Sequence, residues 1–103
     1  MNKIDLQKIA DELEFDLEDV EMLIEVFIDS AEESLETLSE AIENNDYDNI
    51  FKSAHAIKGS AANLTLFEIS ELAKTLESEA RESNGFDYKS TFNQLNLLVE
   101  NLK

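Results

Sequence analysis

Residues 16–44 read DLEDVEMLIEVFIDSAEESLETLSEAIEN, and the spacing of their apolar side chains decides the fold class. Val20, Ile24, Phe27, Ala31, Leu35, Leu38 and Ile42 recur in steps of three and four. That spacing puts them on one stripe of a helix with 3.6 residues per turn. Asp16 is placed to cap this helix, with Asp19 where a capping box carries its acid. From Leu17 to Asn44 such a helix runs about 42 Å at 1.5 Å per residue. Asn44-Asn45-Asp46 ends it, and Asp46 offers the next cap.

The same periodicity extends outward on both sides. A short helix is expected upstream at about Lys3 to Leu13, with Leu6, Ile9, Ala10 and Leu13 on one side. Downstream, a third helix from Tyr47 to Leu64 holds Ile50, Ala54, Ile57, Ala61 and Leu64 in register. Thr65-Leu66-Phe67-Glu68 reads as a capping box opening a fourth helix, which carries Ile69, Leu72, Ala73, Leu76 and Ala80. That helix ends near Ser83, and Asn84-Gly85 supplies a stop, with Gly85 suited to the left-handed conformation. Asp87 caps a last helix bearing Tyr88, Phe92, Leu95, Val99 and Leu102. The chain has no proline and two glycines, and strand-like alternation is not evident. The expected fold is all-α, an antiparallel up-and-down four-helix bundle with a short extra N-terminal helix packed across one end. Residues 1–103 form one domain of ordinary size.

Charge sets the classes of partner. Twenty-four acidic against eight basic residues leave a net charge of −16. Such a surface repels phosphate backbones and anionic lipid, which argues against nucleic-acid and membrane partners. The absence of cysteine excludes disulfides and thiolate metal sites. No apolar run approaches the roughly 20 residues that span a bilayer. The N-terminus, Met1-Asn2-Lys3-Ile4-Asp5, lacks the apolar centre of a signal peptide. A cytoplasmic location is expected, and nothing demands more than a monomer.

The most informative local feature is His55-Ala56-Ile57-Lys58-Gly59 in the third helix. On a helical wheel His55 lies about 140° from the centre of the core stripe, Gly59 about 180° and Lys58 about 80°. His55 therefore faces outward, with Gly59 one turn further along the same face. A glycine inside a helix costs about 1 kcal/mol relative to alanine, and an outward one answers no packing need. It leaves a gap beside the imidazole through which a partner can approach the ring. Lys58, three residues on, can swing its ammonium toward an anion attached there. A lone exposed histidine carries little weight; its conjunction with the glycine and the lysine carries more.

Ser53-Ala54-His55-Ala56-Ile57-Lys58-Gly59-Ser60-Ala61-Ala62-Asn63-Leu64 resembles the signature of histidine phosphotransfer (HPt) domains. That signature is His, two residues, Lys, Gly, then small residues and an apolar one, usually closing with Gly. Leu72, Leu76 and Glu77 are similar to the leucine-rich helix that follows it. The specific match spans about Ile50 to Glu77. The resemblance implies that His55 accepts a phosphoryl group from an aspartyl phosphate on one response-regulator receiver domain and passes it to another. A hybrid sensor kinase is a further implied partner. Lys58 would balance the phosphoryl charge and Gly59 would give steric access. No cofactor is expected on this chain, and Mg²⁺ would come from the receiver's acidic pocket. With no glycine-rich phosphate loop, the chain is expected to be a carrier and not a self-phosphorylating enzyme.

Two positions depart from the family pattern. Thr65 replaces the usual closing glycine and is expected to cap the fourth helix. Many members place a glutamine on that helix against the imidazole; Glu77 stands here instead, and Arg81, one turn on, is nominated to support the phosphoryl group. Docking is expected around Phe51, Gly59 and Ala62. The resemblance adds Ile9, Leu13 and Leu17, for which core packing is the equal alternative.

Three other readings compete. A helical partner-binding module without chemistry leaves the outward His-x-x-Lys-Gly unexplained. A carboxylate-bridged di-iron bundle needs paired Glu-x-x-His motifs, which one histidine preceded by Lys52 cannot supply. The phosphoacceptor domain of a hybrid or chemotaxis-type kinase keeps the fold and changes the context; the initial Met and the final helix favour a free-standing protein.

Overall fold

The computed structural model describes residues 6–83 and 85–103. Five helices follow in order: α1 (Leu6–Leu13), α2 (Leu17–Glu43), α3 (Tyr47–Asn63), α4 (Phe67–Arg81) and α5 (Tyr88–Glu100). Among the described residues there is no strand. The expected start of α1 at Lys3 lies outside the described residues. Consecutive helices pack side by side, and α5 closes the ring against α2, which makes a four-helix bundle. α1 lies against the N-terminal half of α2, where its Leu6 lines a groove with Ile24, Ile28 and Leu102. The 27-residue α2 is about 40 Å long at 1.5 Å per residue and sets the 42 Å long axis of the molecule.

The core follows the expected stripes closely. Val20, Leu38, Ile50, Ile57, Leu76, Leu95 and Val99 are fully buried. At the end of α2 the stripe turns through Ala41, which is buried, and leaves Ile42 partly buried. Leu72, Phe92 and Leu102 likewise pack against the core from its edge, and Leu66 joins it from the α3–α4 turn.

The helix ends correct several expectations. Asp46 and Asp87 cap α3 and α5 as expected, accepting from Asn49 N–H at 3.2 Å and Ser90 N–H at 3.1 Å. Asp16 occupies the N-cap position of α2 but makes no side-chain cap hydrogen bond. The capping box at Thr65 does not form: the N-cap of α4 is Leu66, and Thr65 has a φ of 59°. Thr65 instead closes α3 from the left-handed region, where its N–H donates to the Ala62 carbonyl and Leu66 N–H to the Ala61 carbonyl. This pair of bonds is the Schellman arrangement. The same device recurs after α2, where Asn45 at φ 51° is followed by Asp46 N–H donating to Ala41. After α4 it is Ser83, at φ 52°, that takes the left-handed turn, and Gly85 does not have a positive φ. The chain thus places Asn, Thr and Ser where glycine carries the least strain.

Candidate functional site

α3 is held between α2 and α4, and its contact with α4 is the most extensive in the bundle. Ile50, Ala54, Ile57 and Ala61 take the buried side, which turns His55 outward with 62% of its side chain exposed. Ser70, buried on α4, donates its hydroxyl to the Lys58 carbonyl at 3.1 Å and ties the two helices beside this point. That register brings Glu77 of α4 against His55.

Glu77 is the centre of the site. Its side chain is 5% exposed, and each carboxylate oxygen has a partner. Oε2 bonds Nδ1 of His55, and Oε1 accepts from Lys58 Nζ at 2.8 Å. Burial pushes this carboxyl up, but the hydrogen bonds from Lys58 and His55 and their charges outweigh it, so Glu77 titrates below an ordinary glutamate. It is therefore ionised at neutral pH and can only accept hydrogen bonds. The proton in the His55–Glu77 bond must then sit on Nδ1, which leaves Nε2 of a neutral imidazole with its lone pair free.

Around the imidazole the walls are aromatic on one side and open on the other. The Phe51 ring stacks on His55, with centroids 5.9 Å apart and planes 8° from parallel. The Arg81 guanidinium sits 5.3 Å from the centroid of the same Phe51 ring. Arg81 therefore adjoins the histidine through Phe51, in a cation–π contact on the side from which it was nominated to support the phosphoryl group. Gly59 is exposed, and a Cβ built on it meets nothing within 4 Å. Ala62, a further turn along, is exposed as well.

The remaining docking candidates separate. Ile9 is buried in the core at 5% exposure, because α1 turns that face onto α2; it takes the core alternative. Leu13 packs partly buried against the core, and Leu17 is 40% exposed at the start of α2. Phe15, Met22 and Val26 are also exposed, and sequence reasoning missed them. Met22 and Val26, four apart, face about 150° from the core side of α2, a signal present in the periodicity, and Phe15 joins them in one shallow groove from just before the helix. Among the described residues no group of three or more His, Cys, Asp or Glu side chains could hold a metal ion.

Comparison with known proteins agrees with this fold. A family profile described as Hpt domain matches residues 22–103. Among solved structures, the fold is similar to that of histidine-containing phosphotransfer protein B (HptB) from Pseudomonas aeruginosa PAO1, with a TM-score of 0.77. The two sequences are 22% identical, and the alignment covers 92% of this chain and 80% of that one. No curated protein matches the sequence.

Proposed function

The chain belongs to the Hpt domain family, and from that membership we propose that His55 receives a phosphoryl group from a receiver-domain aspartyl phosphate and hands it to a second receiver domain. The family's members are phosphoryl carriers of two-component signalling and not enzymes with ATP sites. The observation that carries the assignment to His55 is its geometry: an exposed imidazole whose Nδ1 is held by a buried carboxylate, so that Nε2 is the nucleophile. Open space at Gly59 gives an incoming aspartyl phosphate a path to that nitrogen. Lys58, 30% exposed and three residues from His55, lies within reach of the phosphoryl oxygens and balances their charge.

Charge distribution supports the same face. Residues 47–81, which hold α3 and α4, carry four basic and five acidic side chains, so almost all of the net −16 lies elsewhere. Lys74 and Arg81, three before and four after Glu77, share its side of α4. A partner whose own reacting pocket is acidic meets the least repulsion here. Mg²⁺ is assigned to that partner, a reading supported by Glu77, whose carboxylate contacts His55 and already has both oxygens engaged. A cytoplasmic location fits such partners, and no described helix is long and apolar enough to cross a membrane.

The test is direct. Incubation with a phosphorylated receiver domain should label the protein with acid-labile, alkali-stable phosphate. Absence of label, or a label that survives His55→Gln, refutes the assignment.

A further inference from the structure

The partner of His55 is a carboxylate, and a carboxylate differs from an amide in one respect that matters for transfer. Both can accept the Nδ1–H and fix the tautomer, but only the carboxylate carries a charge. We propose that Glu77 keeps the Nδ1 proton on His55 through the whole transfer cycle, so that the phosphorylated ring stays an imidazolium and leaves phosphorus as neutral imidazole. The inference rests on the reading of His55 as the phosphoryl carrier and makes Glu77 its positioning residue.

The bonds balance without moving that proton. On acceptance, the Nε2 lone pair forms the N–P bond while the P–O bond to the donor aspartate breaks, and its electron pair departs with the carboxylate. The ring is then a cation with hydrogen on Nδ1, and the Glu77 carboxylate lies against it. On donation, the acceptor aspartate oxygen forms the new O–P bond, the N–P electron pair returns to Nε2, and the ring is neutral again. If Nδ1 lost its proton in between, the departing group would be imidazolate, a far stronger base and a far poorer leaving group.

The surrounding charges decide whether the carboxylate can do this. From α3, Lys58 and Lys52 lie three residues either side of His55, and both oppose a cationic ring. From α4 come Glu77, in direct contact, and Lys74 and Arg81 flanking it. From α2, among the described residues, no hydrogen bond or ion pair reaches the imidazole. Lys52 is an exposed side chain paired with Asp48 at 3.0 Å, and Arg81 rests on Phe51. The contact charge is Glu77, and its burial protects it from screening by salt. Lys58 offsets part of it at rest, but once phosphorylated the ring presents dianionic oxygens to the same ammonium. Any movement of Lys58 toward them frees more of Glu77 for the ring.

An opposite charge within hydrogen-bond reach moves a titration by about 1–3 units. The protein can be phosphorylated with the small molecule phosphoramidate, which needs no receiver. The phosphorus-31 shift of the product is then followed against pH, beside a phosphorylated peptide of residues 53–59. Phosphohistidine in the intact protein should lose its Nδ1 proton at least about one unit above the peptide, and in Glu77→Gln it should fall back toward the peptide. Above both titrations, the ratio of wild-type to Glu77→Gln transfer rates should grow by about tenfold per unit of that difference over its value at low pH. A protein that titrates with the peptide, or a Glu77→Gln profile that matches the wild type, overturns the inference. The wild-type comparison decides even if the variant fails to fold. Failure of both phosphoramidate and a phosphorylated receiver to label His55 overturns the carrier reading itself, and this inference with it.

Discussion

Replacing Gly59 separates what the fold needs from what the reaction needs. Alanine is about 0.8–1.0 kcal/mol more favourable than glycine in a helix interior. A Cβ at position 59 meets nothing within 4 Å, so no steric term subtracts from that gain. Gly59→Ala should therefore raise the melting temperature by about 4–8 °C for a domain near this size, read by circular dichroism. Gly59→Gln should gain nearly as much, since glutamine is a good helix former. Its longer side chain, one turn from His55 on the same face, projects into the space through which a phosphoryl donor approaches. Side chains four apart on a helix sit about 5–6 Å from each other at Cβ, well inside the reach of a glutamine. Transfer requires the reacting atoms to come to about 3–3.5 Å, and a 1 Å displacement costs on the order of a hundredfold. The glutamine variant should thus be more stable than wild type and slower to accept phosphate from a phosphorylated receiver by about ten- to a hundredfold. A less stable Gly59→Ala would show that α3 uses the glycine structurally. A stable Gly59→Gln that transfers at the wild-type rate would show that the open space is not the path of approach.

Other outcomes follow from the same contacts. Thr65 holds a left-handed φ that costs an L-residue about 1–2 kcal/mol, and glycine's greater freedom in the unfolded chain returns about 0.4–1 of it. Thr65→Gly should raise the unfolding free energy by a net of about 1 kcal/mol, read as a higher urea midpoint; a loss would contradict the strain assigned to the turn. The folded Glu77 carboxyl titrates below an unfolded one, so its stabilisation is complete above the unfolded value of about 4.3 and is lost as pH falls through the folded value. Acid denaturation of wild type should show this component below about pH 4.3, and Glu77→Gln should lack it. Lys58→Ala should slow transfer by about tenfold, equivalent to ~1.4 kcal/mol at the transition state, with an unchanged far-ultraviolet spectrum. An unaltered rate would remove Lys58 from the phosphoryl site.

The periodicity of α2 and the outward direction of His55 were legible because each is a property of one helix. A repeat of three and four fixes which residues share a face, whatever the neighbours do. Helix ends were less legible. Thr65-x-x-Glu68 has the residue types of a capping box, yet the backbone there is occupied in closing α3, and a threonine in the left-handed region cannot also cap α4. Gly85 was the natural candidate for the left-handed stop after α4, but Ser83 takes it, where its N–H donates to the Ala80 carbonyl of the last turn. As docking candidates, Ile9 and Leu17 each had core packing as an equal alternative. The packing of α1 on α2 buries Ile9, while Leu17 at the start of α2 is left exposed.

Glu77 was named in the sequence only through the family resemblance, and its contacts could not be read from the residues' own pattern for a different reason. Its partners are 22 and 19 residues away on another helix, and periodicity within α4 places it only near the edge of the buried side. What brings it to His55 is the register between α3 and α4, set by the tight turn at 64–66 and by the Ser70–Lys58 bond. Once there, the three side chains depend on one another. A buried carboxylate is tolerated only when paired, and it is His55 and Lys58 that pair it. Lys58 therefore acts before any phosphate arrives: it keeps Glu77 ionised, Glu77 keeps the proton on Nδ1, and the proton on Nδ1 leaves Nε2 as the nitrogen that reacts.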